Sequence, residues 1–232
     1  MKQKNKFSVQ QSQMKKYLIL LISFLIALQI SGQDKPLKKF EGKIKFIKIT
    51  QTDTTYFAYF VKGDMVRFIS YDPCIDKEEN QEYLLFFLNK KKIVAIKPTY
   101  QTYIVLPNKK YVSLPSEEFQ FISSNNYKTI LGRKCYQWRE KNKNENTEIA
   151  FWVNKDYNYD FFVPMLKLWN RVEKHATYFL QIPDTQGAFP FLSTERSLVR
   201  DFRMKLLVTE IDYMSLDDTF FTIPANFANY EH

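Results

Sequence analysis

Residues 55–70 read TYFAYFVKGDMVRFIS, and this stretch decides the fold class. Two runs rich in aromatic and β-branched residues flank Gly63-Asp64, which is the sequence signature of a β-hairpin. Such side chains suit a pleated, half-buried surface. Successive strand residues point to opposite faces, so the first arm is apolar on both sides. A sheet with one wet face does not need that second apolar face, so something has to cover it.

Working outward, GKIKFIKIT (42–50) alternates lysine with apolar residues, the period-2 pattern of a strand wet on one side. The stretch 71–82, with Pro73 and five acids, reads as a loop. YLLFFLN (83–89), KIVAIK (92–97) and YQTYIVL (100–106) then form a meander with tight links. Residues 107–126 read as a loop with a helical turn near 116–121. YKTILGRKCYQWRE (127–140) and TEIAFWVN (147–154) form a further hairpin across the polar turn KNKNEN. Beyond it, Phe161, Phe162, Met165, Leu166, Leu168 and Trp169 fall at helical spacing, which predicts one helix over 161–173 that Pro164 begins or kinks. A strand at 191–196, a long strand at 202–216 and a turn leading to a short end complete the chain.

The expected fold is mainly β (α+β): a curved antiparallel sheet or half-barrel of about nine strands, with one or more covering helices. No fixed-period repeat and no linker divides residues 33–232, which are read as a single β-rich domain. The two-sided strands are explained either by packing against the helix and the loop 107–126, or by a cavity that they line.

Of the 232 residues, 45% are hydrophobic and 17% aromatic, with 21 Phe and 15 Tyr against 5 Gly. This is enough to build a core and excludes a disordered chain. Strand preference explains the aromatic excess, and so does an AT-rich genome. The formal charge is +9, but residues 1–32 hold five lysines and no acid. Removing them leaves 29 of the 34 basic residues against 25 acids. With no dense Lys/Arg stripe carrying interleaved aromatics, nucleic acid is not an expected partner.

The run YLILLISFLIALQI (17–30) carries no charge, follows Lys15-Lys16 and precedes Ser31-Gly32. A bilayer-spanning helix takes roughly 20 apolar residues, so this run fits the core of a signal peptide ending at residue 32. Met14 can head that signal by itself. An uncleaved anchor is the competing reading; once the signal is cut, no transmembrane helix is expected. The end of the run has no Cys, so bacterial lipidation there is ruled out. Export to the periplasm or the outer-membrane surface follows.

In an oxidising compartment Cys74 and Cys135 are either bridged or two separate thiols. With only His175 and His232 and no zinc spacing, no metal site is expected. His175 lies in RVEKHATYF without any G-x-S-x-G, and reads as a lone surface or loop histidine. The carboxylate pairs Glu78-Glu79, Glu117-Glu118 and Asp217-Asp218 are adjacent in sequence, so they diverge on strands or lie solvated in loops. Gly42, Gly63, Gly132 and Gly187 are scattered and form no phosphate cradle. Neither a catalytic residue nor a cofactor is expected, and the protein is read as not an enzyme. Asp53-Thr54-Thr55 fits a short bacterial glycosylation pattern and equally a plain hairpin turn.

The order I-x-G-x-x-C-x-x-W in TILGRKCYQWRE (129–140), then TEIAFWVN, then LLVTEIDYMSLDDTFFTIPANF (206–227), resembles a broad family of exported Gram-negative envelope proteins. Most of that family is labelled only as a domain of unknown function, and it is similar to the LolA/LolB lipoprotein-carrier fold. The Gly–Cys segment also resembles the GLPGLI group, whose naming motif is absent here. Resemblance to the carriers implies an incomplete barrel with helices plugging its open side and a hydrophobic pocket able to hold an acyl chain. No carrier motif is present, so no functional residue transfers.

The leading expectation is a periplasmic or outer-membrane-facing protein that holds a lipid or other hydrophobic small molecule. Phe57, Tyr59, Phe86, Phe151, Trp152, Phe162 and Trp169 are the candidate lining residues, chosen for size and position; each also reads as ordinary core. The alternative is a non-catalytic scaffold subunit of an envelope protein complex, making its contacts through loops 71–82 and 107–126.

Overall fold

The computed structural model describes residues 37–74, 81–171 and 173–230. The signal read at residues 1–32, with the Met14 start, lies outside them, as do Glu78, Glu79 and His232. The chain from Lys38 onward forms one unit.

Its strands are β1 (Gly42–Ile49), β2 (Thr54–Lys62), β3 (Met65–Tyr71), β4 (Tyr83–Phe87), β5 (Lys92–Lys97), β6 (Thr102–Leu106), β7 (Phe119–Ile130), β8 (Arg133–Asn142), β9 (Thr147–Asn154), β10 (Phe189–Arg196), β11 (Phe202–Tyr213) and β12 (Ala228–Asn229). Two helices, α1 (Phe162–Trp169) and α2 (Lys174–Phe179), lie between β9 and β10. All twelve strands join one open, curved sheet in the order β12-β6-β5-β4-β3-β2-β1-β11-β10-β9-β8-β7. The pairings are antiparallel except for β12 on β6.

The mainly-β class holds, but the count of about nine strands is corrected to twelve among the described residues. Part of the excess is β7, which takes up residues 119–126 of the expected loop. Only the turn before it, Ser116–Glu118, is helical in the 3₁₀ sense. The polar run Ser-Ser-Asn-Asn conceals the strand, yet β7 still pairs with β8 across a register shift between Ser123 and Tyr127. The segment 127–140 is itself a hairpin. Leu131 and Gly132 both have positive φ (50° and 71°), as a two-residue type I′ turn requires. A further strand, β12, comes from the chain's end.

Among the described residues the covering helices number two, and the helix expected over 161–173 is shortened to Phe162–Trp169. Asn170 adopts φ 49°, and its backbone N–H closes α1 by donating to the Leu166 carbonyl.

In β1 the alternation resolves as predicted. Ile44 and Phe46 are buried, whereas Lys43 and Lys45 face outward and pair with Glu210 of β11 at 2.9 and 3.1 Å. The two ammonium groups, Lys43 first, hold the Glu210 carboxyl down at about 2. Gly42 opens the strand at φ 144°, and a Cβ there would run into the Asp212 carbonyl oxygen, so only glycine fits.

Two cores flank the sheet. The inner one sets Ile44, Phe46, Tyr59, Val66, Phe86 and Phe151 against α1 and α2. The outer one joins Ala58, Phe60, Ile69, Leu85, Val94 and Ile96 with Leu216 and Phe221 of the C-terminal segment. That segment is pinned in three ways. Lys62 donates to the Leu216 carbonyl (2.6 Å) and pairs with Asp218 (2.7 Å), Phe220 lies 5.7 Å from Phe60, and β12 pairs along β6. The second apolar face of β2 to β5 therefore has its cover in residues 216–227, with no contribution from loop 107–126.

Candidate ligand-binding site

On the inner face the register sets Phe46 opposite Phe57, and the rings stack at 5.3 Å. Tyr59 and Phe68, also paired, lie 5.4 Å apart. Helix α1 spaces Phe162, Met165, Leu166 and Trp169 along one side, so its apolar stripe lies over this aromatic floor. Trp169 meets Phe68 edge-on at 4.8 Å and Phe86 at 5.3 Å. Helix and floor do not close completely. They leave a cavity of about 440 Å³, lined by Phe57, Tyr59, Phe151, Phe162, Leu166 and Trp169 among others. That is within the size range of small-molecule pockets.

Five of the seven expected lining residues are thus gathered at one cavity. Phe86 is fully buried beneath Trp169 and supports the wall without lining it. Trp152 is a correction: it follows Phe151 in β9, so alternation turns it to the opposite face of the sheet.

The polar lining of the cavity was missed by sequence reasoning. His175 is not a surface or loop residue. It is 4% exposed, on α2, with Nδ1 2.6 Å from Ser193 Oγ and Nε2 3.7 Å from a Glu195 carboxylate oxygen. Burial, then the nearby Lys48 ammonium, pushes the imidazole down to about 3. Nδ1 and the Ser193 hydroxyl share this short hydrogen bond, while the buried Nε2 has no hydrogen-bond partner among the described residues. Ser193 and Glu195 stand two apart on β10 and turn inward among apolar neighbours; that alternation in FLSTER was the available signal. The Tyr59 hydroxyl is held above its ordinary range by burial and by the Glu173 carboxylate. The cavity thus has an aromatic and aliphatic floor and roof, with Lys48, Ser70, Glu82, Arg171, Glu173, His175 and Ser193 supplying polar lining.

The two cysteines are free thiols, which corrects the bridged reading. Cys74 is exposed after β3. Cys135 is buried in β8, and five strands (β2, β1, β11, β10, β9) stand between β3 and β8 in the sheet. Burial pushes the Cys135 thiol up to about 12, and it donates only weakly to the Arg133 carbonyl at 3.7 Å. Among the described residues no group of three or more His, Cys, Asp and Glu could hold a metal ion, and no helix is long and apolar enough to cross a membrane.

A family model described as a domain of unknown function, DUF4412, matches residues 40–227, nearly all of the sheet and both helices. The chain belongs to the DUF4412 family. None of the curated proteins matches this DUF4412 chain in sequence. Among solved structures, MucB of Pseudomonas aeruginosa in complex with MucA is similar at 8% identity and a TM-score of 0.44, covering 80% of this chain and 56% of that one. An uncharacterised conserved protein of Thermus thermophilus is similar at 6% and 0.47, covering 82% and 90%. A domain described under outer-membrane lipoprotein sorting in Vibrio parahaemolyticus is similar at 10% and 0.31, covering 87% and 96%. In a second MucB structure the DUF4412 chain spans about three fifths of the length, 59%.

Proposed function

We propose that this protein is an exported, envelope-facing binding protein that holds an acyl chain or similar hydrophobic ligand between its curved sheet and its two helices. One observation carries the reading: the cavity of about 440 Å³ between an aromatic floor and α1. Apolar pockets with a small number of placed polar groups suit such ligands. The proposed role is binding without catalysis, with His175 and Ser193 as hydrogen-bonding groups.

Native mass spectrometry of the protein purified from a periplasm, with lipid extraction of the same sample, tests this. An adduct of lipid mass released on denaturation is the expected result; a bare protein at its calculated mass moves the weight to a scaffold role. A variant sharpens the test. Ala176, on the cavity wall, replaced by leucine fills the space, and Ala176→Leu should weaken the ligand by about tenfold or more while the fold persists. Unchanged lipid occupancy in that variant counts against the cavity as the site.

A further inference from the structure

The outer face of the sheet is covered over β2 to β5 by the C-terminal segment, but over β8 to β10 it carries a cleft of a different character. Trp152 stands there with Gln137 and Leu192 beside it in register. In the next row Arg139, Ala150, Thr194 and Lys205 lie in line across β8, β9, β10 and β11. Together with the loop after β10 these strands enclose about 350 Å³, walled by Lys128, Arg139, Arg196 and Arg200. The one carboxylate of the wall, Glu148, is already held by Lys141 at 3.1 Å and Arg139 at 3.9 Å. Among the described residues no acid lies within ion-pair distance of Lys128, Arg196, Arg200 or Lys205. The Lys128 ammonium sits 4.2 Å from the centre of the Trp152 ring, which fixes it at the cleft. Partial burial lowers its pKa; Cys135 opposes that shift and the Lys205 ammonium adds to it. The excess is local, since past residue 32 the chain holds 29 basic residues against 25 acids.

From these residues we infer that the outer cleft is an anion site that takes a phosphate group. A carboxylate brings one charge and two acceptor oxygens. A phosphate brings up to about two charges and three strong acceptor oxygens, which matches several converging cations. The two arginines supply planar forks that pair with phosphate bidentately. The site is back to back with the apolar cavity across β9 and β10, so it acts independently of whatever that cavity holds.

Titration calorimetry of the exported protein with inorganic pyrophosphate at low salt tests the assignment. Binding that weakens as salt is added is expected, and Arg196→Gln with Arg200→Gln should lower affinity about tenfold or more, both side chains being exposed and outside the cores. The charge-matched pair Lys109→Gln with Lys110→Gln, on the loop before β7, should bind as the parent does. Sedimentation with vesicles of phosphatidylcholine containing phosphatidylglycerol, against phosphatidylcholine alone, separates the sources. Vesicle binding lost in the arginine variant assigns the site to lipid headgroups, and pyrophosphate binding without vesicle binding assigns it to soluble phosphate esters. No pyrophosphate binding, an equal loss in both variants, or binding of a poly-glutamate peptide alone would overturn it.

Discussion

Glu140 stands on β8 with its carboxyl turned into the core, 1% exposed, and one of its oxygens lacks a hydrogen-bond partner. Burial raises the acid to about 7. Because the folded value lies above the unfolded one, the neutral carboxyl contributes fully below about pH 4.5, and that contribution is lost as pH rises to 7. At about 1.4 kcal/mol per unit the loss is about 3 kcal/mol. Glu140→Gln should therefore match the parent near pH 4 and exceed it by about that amount at pH 8. Urea unfolding at the two pH values checks this, and an offset equal at both would show that the carboxyl does not titrate as its burial implies. At this scale the sequence was legible where alternation was clean, as in Lys43-Ile44-Lys45-Phe46, and misleading where a polar residue took an inward position. Glu140 in CYQWRE and Ser193 and Glu195 in FLSTER keep the strand period while breaking its chemistry, and His175 is buried against the latter pair.

Between residues and the whole molecule, the elements divide by how their ends are marked. The hairpin of β2 and β3 was plain because Gly63-Asp64 marks its turn. The turn between β7 and β8 was not, because Leu131 occupies a left-handed position that usually falls to Asn or Gly. Leu131 is exposed, so replacing it costs little packing. Leu131→Asn should stabilise the protein by about 0.5–1 kcal/mol, with a small rise in Tm by calorimetry. A fall in Tm would mean that Leu131 packs usefully at the turn. The helical pair shows the converse difficulty. An apolar spacing through Trp169 predicts the helix, but its stop at Asn170 rests on one residue's backbone angle, which hydropathy does not encode.

For the molecule as a whole, the two-sided strands called either for packing by the helix and the loop 107–126 or for a cavity. The first helix was visible as part of the inner cover, and α2 was not. The outer one, Leu216 to Phe227, was hidden because its apolar residues follow no period: they are anchored singly, by a 3₁₀ turn at Asp218–Phe221 and by β12. Truncation after Tyr213 should expose Phe60, Leu85 and Ile96 together. The expected outcome is strong binding of a hydrophobic-surface dye and loss of solubility, where removal of a mere tail would change neither. A monomeric, dye-silent truncated protein would show that the segment is dispensable to the outer core.

The pairing of β1 with β11, Gly42 opposite Tyr213, joins the first strand to the last long one. In order of emergence from the ribosome, β1 has β2 on one side and nothing on the other until nearly the whole chain has been made. The centre of the sheet is therefore its final seam, and the six-stranded first half cannot be mistaken for a finished domain. Distant pairings of this kind give folding on the millisecond-to-second scale. A chain built this way stays incomplete until its last long strand has been made.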